Sequence, residues 1–130
     1  MALQPTQCLQ AAELALKLGR AEDAAALCRH VLATHRWHLR AHLLLGQAHL
    51  EQQNWSDAAG RLRMVLAVDP ECAEASGGLA VVALAQGSHA EAARMLARAF
   101  ENAPESDEVR TALQQALAQL VADVLEAGAE

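Results

Sequence analysis

Apolar residues fall into short amphipathic segments of helical spacing, and no stretch alternates with a period of two. Val109, Leu113, Ala116, Leu117, Leu120 and Val124 form one such stripe near the end of the chain. Earlier segments come in pairs separated by punctuation. Gly87 ends one, and Ser88-x-x-Glu91 opens the next as a capping box. Asn54-x-x-Asp57 holds the equivalent place upstream with Asn54 as N-cap, and Gly19 stands where Gly87 does. Asp69-Pro70 reads as an N-cap and first helical residue. Ser106 caps the last stripe, with Asp107 and Glu108 in its first turn, where carboxylates favour the helix dipole. The pattern predicts helices near 5–18, 21–34, 39–52, 55–68, 72–86, 89–102 and 106–126.

The segments repeat. Ala24, Ala58 and Ala92 lie 34 residues apart, each preceded by an acid: Asp23, Asp57 and Glu91. Eight residues on stand Leu32, Leu66 and Phe100, and the same interval relates Leu45 to Leu79 and Pro70 to Pro104. Three units follow, 5–38, 39–72 and 73–106, each a helix pair. Residues 107–130 form a closing helix and tail, which covers the apolar face that a stacked repeat leaves bare. The fold class is all-α.

A helix pair of 34 residues with these positions resembles the tetratricopeptide repeat. The second unit carries Leu45-Gly46, Ala58, Leu62, Val65 and Pro70; the third carries Leu79-Ala80, Ala92, Leu96, Ala99 and Pro104. The first is degenerate, with Ala11-Ala12, Ala24, Cys28, Val31 and Arg36. The resemblance covers residues 5–106. It implies a right-handed superhelix of three hairpins with a C-terminal capping helix, first helices lining a concave groove and second helices forming the back. The chain departs from the family where first helices usually carry two aromatics: Cys8 and Ala15, His42 and His49, and Ser76 and Ala83 occupy those places.

Carried onto this sequence, the family's inner positions are Leu9, Glu13 and Leu16, then Arg40, Leu43, Gln47 and Leu50, then Glu74, Gly77, Val81 and Leu84, with Gln115 from the closing helix. This leucine-rich stripe suits a peptide or helix of a partner protein. Chaperone-tail clamps of the family grip a terminal carboxylate with Lys, Arg and Asn. The matching places here hold Leu9, Glu13, Leu44, Glu74 and Gly78, which cannot complement a carboxylate.

Composition narrows the class further. Hydrophobic residues make up 53% of the 130-residue chain and aromatics 2%, so Ala and Leu supply most of the apolar content. A net charge of −6 argues against a nucleic-acid partner. The charge is uneven: residues 1–65 hold seven Lys/Arg and five Asp/Glu, a sum of +2, and residues 66–130 hold three and eleven, a sum of −8. With an open face on the first repeat, that asymmetry raises an alternative function, a self-associating scaffold built from head-to-tail contacts between copies. No apolar run approaches the roughly 18 residues of a membrane span, and the first residues do not read as a secretory signal. Cys8, Cys28 and Cys72 form neither a zinc pattern nor a disulfide framework and suit a reducing cytoplasm.

Catalytic chemistry finds no constellation. His35-x-x-His38-x-x-x-His42, with His49 beyond, has metal-like spacing but lacks the remaining ligands of a tetrahedral set, and His42 and His49 fall on packing positions. Ser56, Ser76, Ser88 and Ser106 have no glycine-rich elbow around them. Cys8 and Cys28, the thiols available to pair with His30, lie on core positions. No phosphate loop or dinucleotide fingerprint is present, so no metal, cofactor or enzyme activity is expected. Trp37, in the loop between the first two units, and Trp55, at the start of a second helix, are expected to pack between units, with an exposed contact beside Arg36 and His38 as the alternative for Trp37.

Overall fold

A computed structural model describes residues 3–129, the side chains of Glu108 and Ala129 excepted. The part expected of Glu108 at the helix dipole, and residue 130 of the expected tail, lie outside the described residues. Seven helices and no strand occur among those described: α1 (Pro5–Lys17), α2 (Ala21–Thr34), α3 (Leu39–Glu51), α4 (Trp55–Val68), α5 (Ala73–Ala85), α6 (His89–Asn102) and α7 (Asp107–Ala129). The period of the sequence is the period of the fold. First helices start at 5, 39, 73 and 107, and second helices at 21, 55 and 89, always 34 apart.

The hairpin turns are built alike. Gly19 and Gly87 adopt the left-handed conformation, with φ of 75° and 80°, and Gln53 takes it at the same position with φ 61°. Past each of these residues the next N–H reaches back to close the helix: Arg20 to the Ala15 carbonyl at 2.8 Å, Asn54 to His49 at 2.9 Å, and Ser88 to Ala83 at 2.8 Å. Helix starts are more varied. His38 caps α3, its Nδ1 accepting the Ala41 N–H at 3.4 Å, and Ser106 Oγ accepts the Val109 N–H at 3.4 Å. Two expected caps differ. Ser88 stands at the N-cap of α6 without a side-chain bond, so no capping box forms there. Asp69 and Pro70 belong to the turn before α5, where Asp69 Oδ1 accepts the Glu71 N–H, and the N-cap falls to Cys72.

The chain folds as two compact units, Met1–Val68 and Asp69–Glu130. In the first, α1 packs on α2, α2 on α3 and α3 on α4, with α1 beside α3. Its core joins Cys8, Leu9, Ala12, Ala24, Cys28 and Val31 to Ala41, Leu44, Leu45 and Ala48. In the second, α6 lies against both α5 and α7, around Ala80, Ala92, Leu96 and Ala116. The closing stripe is only partly covered. Val109 and Ala116 are buried and Leu113 and Leu120 half-buried, whereas Leu117 and Val124 face solvent, and α7 runs past the expected end at 126.

Small residues set the separation of paired helices. Ala58 and Ala92 are fully buried. At Gly46 a Cβ would approach Leu62 Cδ2 at 2.9 Å and Arg61 Cβ at 3.4 Å, so the hydrogen side chain is what lets α3 and α4 meet. Gly60 on α4 has nothing within 4 Å of its would-be Cβ. Gly46→Val is therefore expected to cost about 1–3 kcal/mol by overpacking against the fully buried Leu62. Gly60→Ala should add about 0.5–1 kcal/mol through helix propensity. Urea unfolding of the two variants checks the opposite signs.

Candidate partner-binding faces

In the first unit the inner positions of α1 and α3 lie side by side. Arg40 Nε donates to Glu13 Oε1 at 3.0 Å, and Nη2 of the same guanidinium bonds that oxygen as well. Two expected contact residues thus hold each other across the α1–α3 junction. The pair is about two-fifths exposed, so it orders the face more than it stabilises the fold. Leu16, Gln47 and Leu50 are half-buried beside it. Leu9 and Leu43, expected on the same face, are buried: Leu9 belongs to the core of α1–α3, and Leu43 is 4% exposed. They support the face from beneath and present no surface of their own.

In the second unit Val81 is 41% exposed, Leu84 packs partly onto the α5–α7 core, and Gln115 is exposed on α7, which lies beside α5. The two faces share a register. Glu13, Gln47, Val81 and Gln115 occupy one repeat position, and Leu16, Leu50 and Leu84 another.

The histidines are absorbed by structure. His42 is buried, its Nε2 bonded to the Arg36 carbonyl at 2.8 Å and its Nδ1 facing the Arg61 guanidinium at 3.0 Å. That arrangement requires the neutral ring with the proton on Nε2. His38 is the α3 cap and His35 Nδ1 bonds Thr34 Oγ1 at 2.8 Å. No three metal-ligating side chains converge among the described residues. Cys8 and Cys28 are buried, and burial pushes the Cys28 thiol up to about 11, partly offset by Arg29. Trp37 is not packed between helices. It is 77% exposed in the loop before α3, with the Arg36 guanidinium 6.0 Å from its ring centre, because those few loop residues have no helix lying over them. Trp55 is half-buried. Sequence reasoning missed two exposed leucines, Leu14 on α1 and Leu18 at its C-cap, whose only signal was their place on outward positions.

These features define a helical-repeat binding module. The tetratricopeptide repeat family model matches residues 9–61 and 43–108, and the chain belongs to that family. The TPR domain of P58(IPK) superposes with a TM-score of 0.83 at 20% identity, over 92% of this chain and 34% of that one. The first TPR of Spaghetti (RPAP3), solved with the HSP90 peptide SRMEEVD, gives 0.78 at 14% identity over 90% and 93% of the two chains. A mutant O-GlcNAc transferase of Thermobaculum terrenum gives 0.79 at 28% identity over 90% of this chain and 23% of its own. The chain thus spans about a third of the P58(IPK) chain and less of the transferase. No curated protein matches the sequence significantly. No helix among the described residues is long and apolar enough to cross a membrane.

His49 gives the first unit a pH response. It is buried, its Nδ1 has no hydrogen-bond partner, and desolvation lowers its pKa; Asp57 opposes the shift while Arg29 and Arg61 add to it. Above the ordinary value of 6.5 the ring is neutral folded or unfolded, and nothing is lost. Below it the unfolded chain gains a proton that the folded one resists, so stability falls on acidification. The urea midpoint is expected to drop across that interval, and the drop should be smaller in His49→Leu.

Proposed function

We propose that the chain is a binding module that holds an extended peptide or helix of a partner protein on the inner faces of its first helices. The observation that carries this reading is one repeat position, held by Leu16 and Leu50 in the first unit and by Leu84 in the second. Three leucines at one repeat position stay partly exposed although the core beneath is largely alanine. Glu13, Arg40 and Gln47 accompany the leucines of the first unit, and Val81 and Gln115 accompany Leu84 in the second, so each unit offers polar and apolar groups together. A mixed face of this kind matches an amphipathic segment, with leucines as anchors and the polar neighbours fixing orientation.

The ligand differs from that of a carboxylate clamp. RPAP3's domain holds an HSP90 peptide. Here Leu9, Leu44 and Gly78 are buried at the clamp positions, Glu13 is paired with Arg40, and Glu74 adds negative charge. The role is one of binding rather than catalysis, since the Cys28 thiol stays protonated at neutral pH and the buried histidine His42 is committed to structural bonds.

Two measurements test the reading. Calorimetric titration with SRMEEVD should show no saturable binding, and tight binding would restore the clamp. The combined variant Leu16→Glu and Leu50→Glu should lose the proteins retained from native extract while keeping its helical circular dichroism. An unchanged set of retained proteins would move binding off this face.

A further inference from the structure

Two helix faces expose repeat positions that are buried elsewhere in the chain. Ala48 on α3 and Ala116 on α7 are fully buried, each in the cluster that joins its helix to the hairpin before it. The same position in α1 is Leu14, which is 59% exposed, and Leu18 one turn on is 75% exposed. The second face is on α7. Ala15, His49 and Ala83 share a repeat position and are all buried. Their counterpart on α7 is Leu117, 46% exposed, and the stripe continues through Val121 and Leu125 at 55% and 68%, with Val124 beside them. Four large apolar side chains on one exposed helix stripe exceed the scatter of single exposed residues on an ordinary surface.

Charge selects the occupant. The exposed Lys17 lies between Leu14 and Leu18 in the sequence, on a half of the chain that sums to +2, whereas the exposed Glu126, and Asp123 with one oxygen bonded to His89 Nδ1, border the α7 stripe on a half that sums to −8. Pairing of two α7 helices would bring like charges together, and pairing of α7 with α1 brings opposite ones. We infer that copies of this chain associate head to tail, the outward face of α7 in one copy seating on Leu14 of α1 and its C-cap Leu18 in the next. Such a contact is heterologous, so each addition leaves both faces available for further growth.

The test uses the 130-residue chain. Sedimentation at micromolar and submillimolar concentration should show assembly that grows with concentration and weakens about tenfold on moving from low to high salt. Leu14→Gln with Leu18→Gln blocks one face, and Val121→Gln with Leu125→Gln blocks the other. These positions are exposed, so both variants should keep wild-type circular dichroism and be monomeric alone. Mixed, they should form a one-to-one heterodimer and nothing larger, because each retains the face the other lacks. A wild-type monomer at every concentration overturns the proposal. So does continued dimerisation of the Leu14/Leu18 variant alone, which would assign the contact to two α7 helices.

Discussion

The close approach of the two helices in each hairpin is the constraint on which the rest depends. Ala58 and Ala92 lie fully buried at one repeat position, and Gly46 meets Leu62 where even a methyl group would be crowded. With so little volume between the axes, the interior is filled by alanine, cysteine and single leucines rather than by aromatic rings. Larger apolar side chains are left over for outward positions. Leucine therefore serves both inside, at Leu44, Leu45, Leu62 and Leu96, and on the faces, at Leu16, Leu50 and Leu84.

The period of 34 was legible because it needs only residue identity at fixed intervals, and helix starts follow it throughout. Gly19 and Gly87 marked two of the three turns. The third was placed by Asn54 and the helix ends around it, but its left-handed residue, Gln53, is not announced by residue type. Caps were harder to read. Ser88 has the right identity but makes no bond, while His38 caps α3 through a ring nitrogen outside the usual Ser, Thr, Asp and Asn set.

The candidate faces were half legible. Register alone placed Glu13 and Arg40 near each other's helices, but their ion pair depends on how α1 and α3 lie together. Leu9 and Leu43 have the spacing of face residues, yet spacing cannot separate a side chain on a surface from one just under it; their neighbours decide. The same ambiguity affects α7. Its stripe is wider than the surface α6 offers, so one edge is covered and the other remains in water.

The placement of the two tryptophans bears on how this molecule reports on itself. Both belong to the unit that ends at Val68, and the unit from Asp69 onward contains neither Trp nor Tyr. Indole emission therefore follows α4 through the half-buried Trp55 and the solvent-facing loop through Trp37, and it is blind to α5, α6 and α7. Helix content, by contrast, counts every turn equally. If melting is one concerted event, the two optical signals must superimpose; separate curves would mean that the halves come apart in succession.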